Sequence, residues 1–102
     1  MSKYLVLYKA DQSAQQQMAS ATPEEAQAGM AAWMEWQQRA GEAIVDMGSP
    51  VAPASGSADP SIGGYSIVEA DSPEALDKVL DGHPHLQIGT IETHQFLDLP
   101  GM

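Results

Sequence analysis

The sequence predicts an α+β fold of the ferredoxin-like type, with elements in the order β-α-β-β-α-β. Two observations predict it: four short apolar segments have strand character, and two helical segments each begin with a capping residue followed by proline. In this plan both helices cover one face of a four-stranded sheet and leave the other face open. A chain of 102 residues is ordinary for one compact core, so we expect a single domain over residues 1–102.

The N-terminal strand is apolar on both of its faces. Within residues 3–9, Tyr4, Val6 and Tyr8 alternate with Leu5 and Leu7, which is typical of a central strand covered on both sides. Residues 11–21 are rich in Gln, Ser and Ala, and we interpret them as a loop or a short helical extension.

The first long helix is predicted from its start and its stop. Thr22 and Glu25 form a capping box, and Gly41 ends the helical pattern. A short strand follows over residues 43–47. The predicted buried stripe of the helix comprises Ala26, Met30, Trp33, Met34 and Gln37, with Trp36 and Arg39 beside it.

The C-terminal half repeats the strand–helix–strand pattern after a long loop. Pro, Gly, Ser and Ala dominate residues 51–61, so no regular structure is expected there. A strand over residues 64–69 precedes a helix capped by Ser72 and ended by Gly82, and a last strand covers residues 88–97. The buried stripe of this helix is predicted to be Ala75, Leu76, Val79 and Leu80.

The open face of the predicted sheet is apolar. It would carry Tyr4 or Leu5, Tyr65 or Val68, and Ile91 or Phe96. Because large exposed apolar patches mark interaction surfaces, we expect two copies to pair sheet to sheet as a homodimer. The alternative is a monomer with a polar outer face, which the first strand offers few polar residues to build.

Composition excludes several classes of partner. Four basic against 14 acidic residues give a formal net charge of -10, which argues against binding nucleic acid or an anionic membrane. The absence of cysteine excludes disulfides and thiolate metal sites. No segment approaches the roughly 20 apolar residues of a membrane span, and the N-terminal residues do not follow the pattern of a signal peptide. We therefore expect a cytoplasmic protein.

Several segments together carry a resemblance that covers nearly the full chain. They are Trp33-x-x-Trp36, Gly48-Ser49-Pro50, the run from Gly64 to Ser72, His83-Pro84-His85-Leu86, and the run from Gly89 to Glu92. In these segments the chain resembles the YCII-related family of the dimeric α+β-barrel superfamily. The resemblance implies two ferredoxin-like protomers packed sheet to sheet, each with a pocket between its sheet and its helices.

The resemblance implies less about chemistry. In this family an enzyme role has been proposed from a polar pocket with a His–Asp pair, and one related protein removes chloride from a chlorinated hydroxyquinol. In the better-known branch the histidine of that pair lies near the start of the first helix. Residues 28–32, the matching region here, contain no histidine. Any activity would therefore depend on other histidines.

The candidate catalytic residues are His83, His85 and Asp46. The two histidines flank Pro84 at the corner between the second helix and the last strand, and imidazole titrates in the range needed for acid–base catalysis. In the structural alternative, His83 ends the helix and His85 is an exposed corner residue. Asp46 ends the second strand, where it could orient a histidine or remain a solvated strand end.

The candidate substrate-binding residues are Trp36, Arg39 and His94. Trp33 is interpreted as core, whereas Trp36 leans toward the long loop and either lines a pocket for a flat ligand or packs beneath the loop. Arg39 either anchors an anionic ligand or forms a surface ion pair. His94 shares a face of the last strand with Glu92. The histidines and nearby carboxylates make an incomplete ligand set, so we predict no metal and no cofactor.

The sequence leaves two function hypotheses from different classes. The first is a small dimeric enzyme that uses a histidine-lined pocket for acid–base chemistry on a small organic molecule. The second is a non-catalytic ligand-binding or accessory module in which the histidines are structural. A third reading is another branch of the superfamily, such as a small cofactor-free monooxygenase. Phosphate-binding loops, nucleophile elbows and zinc-protease motifs are absent from the sequence.

Overall fold

The chain follows the predicted order of strands and helices, and the segment left open between a loop and a helical extension forms a short helix. The computed structural model describes residues 2–11 and 14–98. No helix in these ranges combines the length and the apolar character that a membrane span requires. The strands are β1 (Ser2–Lys9), β2 (Ile44–Pro50), β3 (Ile62–Ala70) and β4 (Thr90–Gln95). The helices are α1 (Ala14–Ser20), α2 (Pro23–Ala40) and α3 (Pro73–Leu80), with 3-10 helices at Gly41–Ala43 and Pro84–Gln87.

The four strands form one sheet in the order β2-β3-β1-β4. All three pairings are antiparallel, and β1 pairs with both β3 and β4. Val6 lies opposite Ser66 on one side and Thr93 on the other. This topology confirms the predicted ferredoxin-like fold.

One face of the sheet is covered by α2 and α3 and holds the core. From β1 it buries Tyr4, Val6 and Tyr8, since residues two apart point to the same face. The helix α3 begins where the Ser72 hydroxyl accepts the Ala75 N–H at 3.1 Å. The other side chains of this core are Val68, Ala70, Trp36, Leu76 and Leu80.

The helix α2 starts as predicted but buries a different stripe. Glu25 donates its N–H to the Thr22 hydroxyl at 3.1 Å, which confirms the capping box. The predicted stripe is wrong, because Met30 and Met34 are 67% and 56% exposed. Residues 21–31 are all exposed, so the first half of the helix extends past the sheet. Only the second half meets the core, and there Trp36 is 1% exposed.

The last strand begins later than predicted because hydrogen bonds between nearby residues extend the preceding turn. The N–H groups of Ile88 and Gly89 both donate to the carbonyl of His85, at 3.0 and 2.9 Å. These bonds close the 3-10 helix, so the chain becomes extended only at Thr90. The second strand instead runs three residues further than predicted, to Pro50. Its left-handed Gly48 (φ 80°) lies against the Tyr65 carbonyl, where no Cβ would fit.

The other face of the sheet is not covered by either long helix. Its centre is formed by Leu5, Leu7, Tyr65 and Ile67, all partly accessible to solvent. Of the alternatives left open by the sequence, Leu5 and Tyr65 therefore lie on this face. Ile91 does not, because it pairs with Tyr8 and packs against the core.

Candidate functional site

The histidine corner, residues 82–89, connects α3 to β4. Gly82 has a left-handed backbone (φ 70°) that turns the chain out of the helix. Pro84 then begins the short 3-10 helix. His83 caps that helix, because its Nδ1 accepts the N–H of His85 at 3.0 Å. The sequence His-Pro-His thus fixes the imidazole of His83 on the backbone of His85 through one local hydrogen bond.

His83 is a buried, neutral imidazole. It is 1% exposed, and its pKa is lowered to about 4, mainly by desolvation and to a lesser extent by the charges of His85 and Arg39. Since Nδ1 accepts a hydrogen bond, the proton of the neutral ring is on Nε2. That Nε2 atom has no hydrogen-bond partner among the described residues. A buried donor without a partner lowers the free energy of unfolding by about 1–3 kcal/mol, and such donors are rare in native proteins.

Three aromatic rings surround the His83 imidazole. Its centroid lies 4.3 Å from Trp36, 4.6 Å from Trp33 and 5.0 Å from Tyr8. Trp33 stands almost perpendicular to the imidazole, at 86°. The corner therefore presents a polar N–H inside an aromatic box, which we define as His83, Tyr8, Trp33 and Trp36.

The ring of His85 is fixed by a backbone carbonyl of the first strand. Its Nε2 lies 2.8 Å from the carbonyl oxygen of Lys9, and a carbonyl only accepts, so Nε2 carries the proton. Nδ1 is left with its lone pair and makes no hydrogen bond within the described residues. A Cβ at Gly89 would stand 2.8 Å from Nε2 and would collide with the Lys9 carbonyl. Gly89 is therefore required for this contact.

Tyr8 forms the floor of the box through a chain of hydrogen bonds. Its hydroxyl donates to the Ser66 hydroxyl at 2.8 Å, which donates to the Met47 carbonyl at 2.7 Å. Burial raises the pKa of Tyr8 to about 12, and the bond to Ser66 only partly opposes this effect. Tyr8 is thus a protonated and oriented side chain at neutral pH.

A cleft of about 320 Å³ adjoins the corner. Residues 9–11, Ser61 and residues 88–90 line it. Lys9 and Gly89, which both approach Nε2 of His85, belong to its wall. The Lys9 ammonium forms ion pairs with Asp59 at 3.4 Å and Glu92 at 3.6 Å. The cleft therefore lies next to His85 and is bordered by a neutralised lysine.

The structure brings some of the predicted site residues together. His83, His85 and Trp36 meet at the corner, and Arg39 reaches it through a 3.4 Å hydrogen bond from Nη2 to the Gly82 carbonyl. The predicted burial of the two tryptophans is reversed. Trp36 is the core residue, with its indole N–H donating to the Val79 carbonyl at 2.9 Å, and Trp33 is partly exposed.

Asp46 and His94 lie away from the corner, on strands at opposite edges of the sheet. Asp46 is exposed and its carboxylate accepts the N–H of Gly48 at 2.8 Å. His94 is exposed, pairs across from Leu5 and contacts the Glu92 carboxylate at 2.8 Å. That contact holds the pKa of Glu92 below its usual range. Within residues 2–11 and 14–98, no three His, Cys, Asp or Glu side chains are placed to hold a metal ion.

Sequence reasoning missed three participants in the corner. The sequence predicts Tyr8 only as part of a strand face and Trp33 only as a core residue. The Lys9 carbonyl is a backbone group 76 residues from His85, so no side-chain motif records it. The only available signal was Gly89 just before the last strand, since glycine in such a place often marks a close backbone approach.

Comparison with known proteins places the chain in a family. No curated protein matches it. A solved structure with the same fold is 5-chloro-2-hydroxyhydroquinone dehydrochlorinase (TftG) from Burkholderia phenoliruptrix AC1100, in complex with 2,5-dihydroxybenzoquinone. That similarity has a TM-score of 0.56, an identity of 16% and coverage of 93% of each chain, so it concerns the fold. The family model of the YCII-related domain matches residues 2–99, and the chain therefore belongs to the YCII-related domain family.

Proposed function

We propose that this YCII-related domain is a small-molecule enzyme in which His85 transfers the proton, with the substrate bound at the histidine corner. The observation that carries this proposal is the orientation of His85. Its Nε2–H is fixed on the Lys9 carbonyl at 2.8 Å, which leaves Nδ1 with a lone pair and no partner among the described residues. A histidine held through one nitrogen presents the other in a defined direction, as acid–base catalysis requires.

The chemistry that this geometry supports is proton abstraction from a small organic molecule. Nδ1 would take a proton from a hydroxyl or an activated C–H group, and the Lys9 carbonyl would stabilise the imidazolium through the Nε2–H bond. Hydroxylated aromatic rings and quinones are the first substrates to test, since a dehydrochlorinase with the same fold acts on 5-chloro-2-hydroxyhydroquinone. The exposed Arg39 beside Gly82 is a candidate for binding an anionic substituent.

His83 contributes to this site in a different way from His85. A pKa of about 4 makes it a weak base that stays neutral at physiological pH. It orients the corner, because its Nδ1 accepts the N–H of His85. The two histidines thus divide into a positioned base and a neutral neighbour.

We propose further that two copies pair through the uncovered face. Leu5, Leu7, Tyr65 and Ile67 form a contiguous apolar centre there, and the charged Glu92 and Lys9 lie at its edge. A second copy offers the same pattern, so apolar centre meets apolar centre. The corner lies on the other side of the sheet, which leaves it accessible in such a dimer.

A non-catalytic ligand-binding or accessory module is the second candidate. It is favoured by the fact that each corner histidine uses one nitrogen in a hydrogen bond with the backbone. Both imidazoles would then serve only to hold residues 82–89 against β1. This candidate predicts ligand binding without turnover.

Replacing His85 with glutamine separates the two candidates. The glutamine amide N–H can still donate to the Lys9 carbonyl, but it offers no basic nitrogen. With 5-chloro-2-hydroxyhydroquinone as substrate, we expect His85→Gln to lower the rate of chloride release about a hundredfold or more. The matched control, His94→Gln, changes a histidine on the uncovered face and should leave the rate unchanged. Wild-type protein that binds 2,5-dihydroxybenzoquinone in calorimetry but turns over no hydroxyquinol would favour the non-catalytic module.

A further inference from the structure

The buried Nε2–H of His83 is a polar group that the proton-transfer chemistry of His85 does not use. His83 is 1% exposed, and its Nε2 is the one buried nitrogen or oxygen among the described side chains that lacks a partner. Buried donors in native proteins are nearly always satisfied. An unsatisfied donor beside a candidate base therefore points to a ligand atom that accepts its hydrogen bond.

The tautomer of His83 limits what this ligand atom can be. Because Nδ1 accepts the N–H of His85 at 3.0 Å, Nε2 must carry the proton in the neutral ring. A metal ion would need the lone pair of Nε2, and the proton would then have to occupy Nδ1 and break the bond to His85. The partner must instead be a hydrogen-bond acceptor, such as a carbonyl, phenolic or quinone oxygen.

The walls around His83 indicate the shape of the ligand. Tyr8, Trp33 and Trp36 present aromatic rings within 5.0 Å of the imidazole centroid. Aromatic rings favour other flat rings in stacked or edge-to-face contact. A flat ring bearing an oxygen would satisfy both the aromatic walls and the Nε2–H.

Trp33 is the wall that can move. Trp36 is anchored by its 2.9 Å bond to the Val79 carbonyl, and Tyr8 by its 2.8 Å bond to Ser66. The indole N–H of Trp33 makes no hydrogen bond within the described residues, and the side chain is partly exposed. Rotation of Trp33 would open the box to solvent without breaking a hydrogen bond.

We infer that the aromatic box is the recognition half of the ligand site. The Nε2–H of His83 donates to an oxygen of a flat, oxygen-bearing ring, and Trp33 swings aside to admit that ring. This inference rests on the proposed function, because the ligand is the molecule on which His85 acts. It goes further in naming the group that is recognised, the residue that recognises it and the side chain that closes the site.

The direct test is imidazole and indole NMR on the full chain, with 2,5-dihydroxybenzoquinone as the probe. We expect the His83 Nε2–H resonance to move downfield on titration, and the Trp33 indole resonance to shift more than that of Trp36. A His83 resonance that ignores the probe and shows exchange with water overturns the inference, since a buried water would then be the partner. This measurement uses wild-type protein, so it does not depend on the folding of any variant.

Matched variants give the second test. His83→Asn keeps an acceptor for the His85 N–H and removes Nε2–H, so the Kd for the probe should rise roughly threefold to tenfold. Trp33→Ala should accelerate association in stopped-flow fluorescence, and the control Met34→Ala, an exposed neighbour on α2, should not. An unchanged Kd in folded His83→Asn, or slower association in Trp33→Ala, contradicts the inference.

The failure of this inference can be told apart from failure of the proposed function. If His85→Gln abolishes turnover while His83→Asn binds like the wild type, the proposed function stands and the recognition role of His83 falls. If the probe leaves every corner resonance unmoved in the wild type, both the inference and the proposed class of ligand are overturned.

Discussion

The two faces of the sheet use the same strand for different purposes. In β1, Tyr4, Val6 and Tyr8 are buried under the helices, and Leu5 and Leu7 alternate with them on the uncovered face. On the covered face, the ring of His85 is fixed on the backbone by its bond to the Lys9 carbonyl. The uncovered face has an apolar centre and exposed ion pairs at its edge. The period of a single strand therefore places the proposed site of proton transfer on one face and the proposed dimer surface on the other.

The two faces also differ in the pKa values of their ionisable groups. Burial on the covered face raises the pKa of Tyr8 to about 12 and lowers that of His83 to about 4, so both stay uncharged. On the uncovered face, the hydrogen bond from His94 lowers the pKa of Glu92, so the charged form is favoured. Desolvation dominates on one face and solvated charge pairing on the other.

The largest expected effect comes from placing a charge at the centre of the uncovered face. Leu5→Glu should convert the proposed dimer to a monomer, because it would bury a carboxylate between two apolar sheets. The cross-strand partners of Leu5 are Ile67 and His94. The new carboxylate therefore faces no other carboxylate within its own sheet. Sedimentation velocity measures the outcome, with the exposed Met34→Glu as the control that should remain dimeric. A monomeric wild type at high concentration would refute the pairing.

Core truncation on the covered face is the next largest effect. Trp36→Ala should lower the free energy of unfolding by about 3–5 kcal/mol, since it creates a cavity and leaves the Val79 carbonyl without its donor. The same type of truncation at the exposed Met30 should change it by less than about 0.5 kcal/mol. Urea unfolding of both variants tests which residues of α2 meet the core. Equal losses of unfolding free energy in the two variants would support the buried stripe of α2 that the sequence predicts.

The buried His83 should make stability depend on pH. Its pKa is about 4 in the folded chain against an ordinary value of 6.5, so the unfolded chain binds the proton more readily. The contribution of His83 to the free energy of unfolding is therefore fully present above pH 6.5 and is lost as the pH falls toward 4, by up to roughly 3 kcal/mol. Urea unfolding between pH 4.5 and 7.5 measures the slope. His83→Asn should flatten it, and an equally steep profile in that variant would assign the slope to other groups.

The smallest effect is expected from the exposed ion pair on the uncovered face. His94→Ala removes the contact with Glu92, and water screens an exposed ion pair, so the midpoint of thermal unfolding should hardly change. Thermal unfolding of His94→Ala at low and high salt measures this contribution. A loss as large as that of Trp36→Ala would show that this pair is buried in the assembly.

The sequence predicts those parts of the fold that are governed by neighbouring residues. The capping box at Thr22, the Ser72 cap and the glycine stops locate the helices because their signals act over a few residues. The buried stripe of α2 was wrong because it depends on how far the helix extends past the sheet, which no local signal records. The corner histidines were found, but their geometry depends on the Lys9 carbonyl, a non-local backbone contact.

The central claim is that His85 is a positioned base and His83 a neutral donor. A long-range proton–nitrogen NMR spectrum of the histidine rings near pH 7, without ligand, tests it most directly. We expect both His83 and His85 to be protonated on Nε2, with Nδ1 of His83 accepting a hydrogen bond and Nδ1 of His85 unbonded. We also expect His83 to remain neutral down to about pH 5. A His83 protonated on Nδ1, or one that gains its charge near pH 6.5, would contradict the account.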